Sequence, residues 1–249
     1  MNVKKVVYLC TQLNHVHKMD NQQFYNLESK QSQVFLSGIL GDGSLHLRKD
    51  SKNYNYHTNC IHKEYLEFKQ SETPDFSSRI YFTEKNGYSQ KPIYNMIYNS
   101  SDFFTHLHKL SIEEIISNLN SFGIALWFCD DGSLHKSKQF YNLNTHSFNK
   151  EIQEEVFIPF LEKFGIFSKL TNEVKKDGRS FWYLRVGKYD GSNIISEMIE
   201  DLNVKCFEYK VWNSETIQKW SKLQEKLKRE DIIETTPAML GSMFRYCKI

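Results

Sequence analysis

IALWFCDDGSLH, residues Ile124–His135, decides the fold, because its last five letters are written twice. DGSLH stands at Asp131–His135 and also at Asp42–His46, 89 positions earlier. Each copy closes an apolar run. One is QSQVFLSGILGD, Gln31–Asp42, and the other is NSFGIALWFCDD, Asn120–Asp131. Both runs are apolar nearly all round and read as buried helices. Ser37, Gly38 and Gly41 in one, and Gly123 and Ala125 in the other, leave room for a second backbone to come close.

The likeness continues downstream. Strand-like NYNYHTNC (Asn53–Cys60) answers FYNLNTHS (Phe140–Ser147), and the two share N-x-x-T at Asn55/Thr58 and Asn142/Thr145. A helical stretch follows in each half. IHKEYLEFKQSE is one; NKEIQEEVFIPFLEKFG, with Pro159 inside it to kink it and Gly165 to end it, is the other. Each half then shows a hairpin, turning at Asn86-Gly87 and at Asp177-Gly178. Last comes a helix, DFFTHLHKL or GSNIISEMIEDL. The pattern is αββαββα, repeated. We expect an α+β protein with two four-stranded antiparallel sheets and the two motif helices parallel at their interface. The expected boundaries are an N-terminal extension at 1–29, a first repeat at 30–110, a second at 111–212, and a C-terminal helix and tail at 213–249. No Gly/Ser/Pro-rich linker divides the halves, so one pseudo-symmetric body acting as a monomer is expected.

Composition bounds the rest. Charged residues are 25% and aromatics 14%, an ordinary globular make-up rich in Tyr and Phe. No apolar run is long enough for a bilayer, so no membrane partner is expected, and the N-terminus does not read as a cleaved signal. The five cysteines are scattered without a CxxC, against a zinc site or disulfide frame and for a reducing compartment, the cytoplasm or an organelle matrix. The H-x-H pairs, His15/His17 and His106/His108, read as surface or packing histidines, and Trp127 as core.

An acid at the end of each buried helix brings two like charges together if the helices lie parallel. A divalent cation with oxygen ligands, Mg²⁺ or Mn²⁺, relieves that repulsion. An EF-hand loop is excluded: with Gly43 at its glycine position, Leu40 and Gly38 fall where carboxylates belong. Two equivalent acids imply two equivalent reactions, and the DNA duplex, with two strands of opposite polarity, has the matching symmetry.

LSGILGDGS (Leu36–Ser44) and IALWFCDDGS (Ile124–Ser133) resemble the paired motifs of the LAGLIDADG homing endonucleases in their single-chain, two-repeat form. NLNTHSF and FEYKVW resemble the second half of that family. Leu40 departs from the eponymous motif, at a position that is not a metal ligand there. The resemblance implies a metal-dependent endonuclease that cuts both strands of a long asymmetric DNA target. It implies Asp42 and Asp131 as metal-ligating catalytic acids, with Gly41 and Asp130 lending backbone carbonyls to metal. It also implies a lysine beside each scissile phosphate, matched by Lys210 in the second half and by Lys109 in the first.

The charges sort by element. Predicted helices hold Glu113, Glu114, Glu151, Glu154, Glu155, Glu197, Glu200 and Asp201. Predicted strands and their loops hold Arg48, Lys49, Lys52, Arg79, Lys85, Lys136, Lys138, Lys169, Lys175, Lys176, Arg179 and Arg185, among Tyr54, Tyr56, Asn86, Tyr88, Gln90, Gln139, Asn144 and Asn172. A formal charge of only +2 thus conceals a basic sheet face suited to a DNA saddle. Two other readings use the same scaffold: an RNA maturase assisting a host intron, and a catalytically inactive DNA-binding regulator, which the intact acids disfavour. The absence of a splicing block beside the repeat speaks against an intein.

Overall fold

A computed structural model describes residues 25–84, 92–135, 140–175, 177–187 and 190–211. The first half runs α1 (Lys30–Leu40), β1 (Gly43–Leu47), β2 (Tyr54–Cys60), α2 (Lys63–Ser71), β3 (Ser78–Thr83), β4 (Ile93–Tyr98) and α3 (Asp102–Leu107). A short helix, α4 (Ile112–Ser117), joins the halves. The second half runs α5 (Ser121–Asp131), β5 (Gly132–Leu134), β6 (Phe140–Leu143), a segmented helix α6 (150–162), β7 (Ser168–Val174), β8 (Ser180–Gly187), α7 (Ser192–Asp201) and a 3₁₀ turn, Lys205–Lys210. Both sheets are antiparallel with the same order, β1-β2-β4-β3 and β5-β6-β8-β7. The expected αββαββα repeat is therefore present in both halves.

α1 and α5 form the seam. Near their starts, a Cβ on Gly123 would lie 2.2 Å from Gln33 Oε1; near their ends, one on Gly41 would lie 2.7 Å from Asp130 Cβ. Start meets start and end meets end, so the helices are parallel, and glycine is needed at both close approaches. Gln33 fastens the entry. Its amide donates to Leu27 O (2.8 Å) and Asn118 O (2.7 Å), and its oxygen accepts from Asn120 N (2.9 Å). Ser29 and Asn120 cap the two helices through their side-chain oxygens. The core closes round this seam, with Val34, Phe35, Leu36, Leu126, Trp127 and Phe128 all buried.

Three features differ from the sequence reading. α4 is the predicted helix that holds Glu113 and Glu114, but it stands outside the αββαββα pattern as a joint between the halves; its Ser111/Glu114 capping box, S-x-x-E, marks its start. Pro159 does not simply kink α6. Lys150–Ile152 and Ile158–Glu162 are α-helical, and between them Gln153–Phe157 widens into a π turn. The wider turn absorbs a ring that lacks an N–H and crowds the preceding turn. The shared N-x-x-T does not fall in register, since Asn55 lies opposite His46 but Asn142 lies opposite Ser133, two residues closer to the acid. The β5–β6 connection is shorter than β1–β2, which shifts the letters against the ladder. The Asp177-Gly178 turn is present, with Gly178 at φ +82°. The turn at Asn86-Gly87 and the helix expected over SETIQKWSKLQEKLKRE lie outside the described residues, as do His15 and His17.

Candidate active site

Asp42 follows the last turn of α1, and Asp131 ends α5, each directly before a strand that opens with Gly. Parallel helices carry both acids to one end of the seam. Asp42 keeps an exposed edge, yet desolvation by the protein packed around it and the neighbouring Asp130 push its carboxyl up to about 6, against the lysines Lys69 and Lys210. Burial, Asp42 and Asp130 push Asp131 up to about 7, with the same two lysines opposing. The acids thus share one electrostatic environment, in which negative charge is crowded and costly. The donor set is all oxygen, which fits a hard divalent cation such as Mg²⁺ or Mn²⁺. Among the described residues, no group of three or more His, Cys, Asp or Glu side chains is arranged to hold a metal.

Lys210 sits at the end of the 3₁₀ turn, nearly buried. Its amine donates to Cys129 O at 2.5 Å and to Phe128 O at 3.4 Å. Both carbonyls lie in the last turn of α5, where a cation is favoured, and Phe128 O also accepts the Gly132 N–H. Burial lowers its pKa, while Cys129, Asp130 and Asp42 hold it up. Tyr141 fixes the turn, its hydroxyl donating to Lys210 O and pairing with Ser196 Oγ at 2.8 Å. The second-half lysine is thus beside the acids.

Lys109 is not. It is exposed after α3, its N–H on His106 O. Neighbouring His108 stacks on Tyr54 with ring centroids 4.1 Å apart. Tyr54 pairs with Leu47, at the opposite end of β1 from Gly43 and hence from Asp42. The cation that reaches the acids from the first half is Lys69, on α2. It is wholly buried and lies 2.9 Å from each oxygen of Asp130. The sequence reading passed over it. Tyr65, Leu66 and Lys69 share the buried face of α2, and a lysine on an apolar face asks for a buried acid. Asp130 was read only for its carbonyl, yet its side chain is 1% exposed and also accepts from Tyr65 Oη at 2.8 Å.

A cleft of about 240 Å³ opens beside Asp42 and Asp130. Asp42, Asn59, His62, Cys129, Asp130 and Lys210 are among the residues lining it.

The sheets' outer faces follow from the registers. The first outer row to span all four strands beyond the acids is Ser44–His57–Ile97–Arg79 in the first sheet and Ser133–Asn142–Arg185–Lys169 in the second. Arg79, Lys169 and Arg185 therefore lie on the faces turned from the helices. Arg185 is held over Phe140 (4.3 Å to the centroid) and bonds Asn142 Oδ1 (3.2 Å) and Tyr183 Oη (2.6 Å). Asn144 is exposed and donates its N–H to Asp131 O. Arg48, Lys49 and Lys52 are exposed in the β1–β2 loop. Lys175 and Arg179 flank the second hairpin turn, paired with Glu173 and Asp177. Asn172 and Tyr54 have the parity of the core-side residues. Tyr56 is a correction. It is wholly buried against Gly38 and Gly43 and has no access to a ligand on the outer face. A β-strand alternates its faces, and Tyr56 has the parity of Leu45 and Met96. Lys85, Asn86, Tyr88, Gln90, Lys136, Lys138, Gln139 and Lys176 lie outside the described residues.

Residues 32–194, most of both repeats, match the LAGLIDADG DNA endonuclease family. The chain belongs to this family. A probable intron-encoded DNA endonuclease 3 of Mycosarcoma maydis is 33% identical over 88 residues, 34% of this chain and 61% of that protein. The chain thus spans less than two thirds of that relative's length. Among solved structures, the homing endonuclease I-WcaI bound to its DNA recognition sequence superposes with a TM-score of 0.61 at 17% identity, over 77% of this chain and 89% of that one. Mesophilic variants of the homing endonuclease I-DmoI match with a TM-score of 0.47 at 15% identity, over 70% and 97%. The I-WcaI likeness bears on fold alone, and the span matched by the family holds both LSGILGDGS and IALWFCDDGS.

Proposed function

We propose that this protein is a site-specific homing endonuclease that cuts both strands of a long, asymmetric DNA target with Mg²⁺ or Mn²⁺. One observation carries the reading: the seam of parallel helices gathers two repeated acids at one end, each directly before the first strand of a sheet. Asp42 and Asp131, with the carbonyls of Gly41 and Asp130, are the groups that would hold the metal. When bound, it supplies a lowered water pKa and a counter-charge for the leaving oxygen. Lys210 stabilises charge developing on the phosphate, from a position fixed by Tyr141 and the end of α5. Outer-face residues such as Arg79, His57, Asn142, Lys169 and Arg185 present donors to base edges in the major groove, and Arg48, Lys49, Lys52, Lys175 and Arg179 reach backbone phosphates. Because the two outer rows differ in residues, the half-sites they read differ in sequence. Carrying both acids on one chain fits action as a monomer.

The test is recovery of cleaved sites from a randomised duplex library incubated with the protein and Mg²⁺. A single long site without two-fold symmetry, cut on both strands only with the cation, is the expected result. Recovery of bound but uncut duplexes would replace this reading with that of a DNA-binding protein.

A further inference from the structure

We propose that Lys69 is a positioning residue of the cleavage centre, which keeps the Asp130 carboxylate turned into the protein and out of the metal's ligand set. The proposal rests on the cleavage reading above.

Three carboxylates meet at the end of the seam, whereas the two-fold repeat accounts for two. Asp42 matches Asp131, but the position before them is Gly41 in one half and Asp130 in the other. The third acid is therefore an asymmetric addition, and it needs a reason not to compete. Its surroundings supply one. Both Asp130 oxygens are engaged by the Lys69 amine at 2.9 Å, and one also accepts from Tyr65 Oη at 2.8 Å. The Lys69 amine lies 4.5 Å from the centroid of the Tyr65 ring, so the pair is boxed in by an aromatic face. Both side chains of the ion pair are 1% exposed. A lysine so enclosed is not a contact for a DNA phosphate, and a carboxylate so engaged has little left to offer a metal. Tyr65 also reaches Leu126 O at 3.3 Å, which ties α2 of the first half to the motif helix of the second.

Gly41 completes the arrangement. The Asp130 Cβ lies where a side chain at position 41 would begin, so Asp130 fills the gap left by its own counterpart. With Lys69 removed, Asp130 becomes an uncompensated carboxylate beside two others. A divalent cation is then its readiest partner, and a cation drawn toward Asp130 is displaced from the geometry set by Asp42 and Asp131.

The experiment uses the full chain, with Mn²⁺ binding followed through the magnetic-resonance signal of free Mn²⁺, and cleavage followed separately in single turnover. Lys69→Met is expected to bind Mn²⁺ more tightly or take up a further ion, while the rate of cleavage falls by about tenfold to a hundredfold. In Lys69→Met/Asp130→Asn the third acid is neutralised, so Mn²⁺ binding returns to the wild-type pattern and cleavage to within about tenfold of wild type. A lysine that only holds the fold together predicts the reverse for the first variant, with weaker Mn²⁺ binding as cleavage falls. Mn²⁺ binding that is the same in wild type and Lys69→Met overturns the proposal, whatever happens to cleavage. Should Lys69→Met not fold, the double variant decides. Cleavage near wild type supports the lock, and loss as complete as in Asp131→Asn overturns it. Wild-type protein that binds Mn²⁺ but cuts no duplex defeats the cleavage reading and leaves the binding comparison standing.

Discussion

The two halves share a backbone plan and differ in how they fill it. Strand order and strand pairing next to the acids are the same, down to Leu45 opposite Tyr56 and Leu134 opposite Tyr141. The side chains at the seam's end are not. The first half contributes its buried cation, Lys69, from the helix after β2; the second contributes Lys210 from a 3₁₀ turn after α7. Lys69 meets a carboxylate, whereas Lys210 meets backbone carbonyls. Repetition in this chain preserves the positions of the acids and of the strands, and leaves the charges that serve the acids free to come from unrelated places.

The acids are what the halves share, and removing either one has the largest effect. Asp42→Asn and Asp131→Asn are each expected to abolish double-strand cleavage, a loss of about a thousandfold or more, with DNA binding largely intact. Gel separation of linear, nicked and uncut plasmid reads the result. Full double-strand cutting by either variant would end the assignment of the acids. A nick restricted to one strand, opposite for the two variants, would show that each half serves its own strand.

Next in size is the contrast between the lysines. Lys210→Met keeps most of the stem and is expected to slow single-turnover cleavage by about a hundredfold while changing affinity much less. Lys109→Met, exposed and distant from Asp42, is expected to leave the rate unchanged. Equal losses in the two variants would restore Lys109 to the site and make the halves symmetric. Weakened binding with an unchanged rate in Lys210→Met would demote that lysine to a phosphate contact.

The metal-free protein offers a third test, through its pH dependence. Asp42 and Asp131 hold their protons up to about 6 and about 7 in the folded chain. In the unfolded chain a carboxyl releases its proton near pH 4. Between these limits the folded state binds more protons than the unfolded one, so stability falls as pH rises from about 4 to about 7. Melting temperatures measured in a chelator should decline across that window. Asp131→Asn should flatten the upper part of the decline, where the more strongly shifted acid titrates, and Mg²⁺ should raise the melting temperature most above pH 7. A wild-type melting temperature that rises with pH across this window would contradict the crowding of charge at the seam.

How much of this was legible in the sequence follows the same division. The doubled DGSLH after two small-residue apolar helices was enough to place α1, α5, both acids and the strand pairs, because a repeat constrains backbone and backbone constrains the seam. Lys210 was found through family likeness. Lys69 is not legible in that way, because a repeat points to lysines at equivalent positions in the two halves and Lys69 has no such equivalent. The nearest candidate in sequence, Lys109, lies at the wrong end of β1. Tyr56 was read as a DNA contact because aromatic residues among basic ones suggested a surface, but strand parity, fixed only once Tyr56 is seen opposite Leu45, turns it inward. The third acid is visible as the first letter of DD, and its partner as a lysine on the apolar face of α2. Neither could be joined to the other without the packing of α2 against α5, which is a contact between halves.

The smallest effect expected is also the cleanest comparison, because it uses one substitution at one structural position in both halves. Tyr56 and Tyr141 occupy equivalent places on β2 and β6, and both rings are buried. The Tyr141 hydroxyl bonds Ser196 and the backbone oxygen of Lys210. The Tyr56 hydroxyl is buried without a hydrogen-bond partner among the described residues, pressed against Gly38 and Gly43. Removing a satisfied hydroxyl gives up a hydrogen bond and strands its acceptor; removing an unsatisfied one relieves a desolvated polar group. Tyr141→Phe is therefore expected to destabilise the fold by about 1–2 kcal/mol, and Tyr56→Phe to be neutral or stabilising by up to about 1 kcal/mol. Denaturant unfolding of the two variants under one buffer condition measures the difference. Tyr141→Phe should also slow cleavage in proportion to the freedom it gives the Lys210 turn, whereas Tyr56→Phe touches no residue of that turn and should leave the rate alone. Equal stability changes in the two variants would mean that the halves are chemically alike at this position, and the asymmetry would then be confined to the charges.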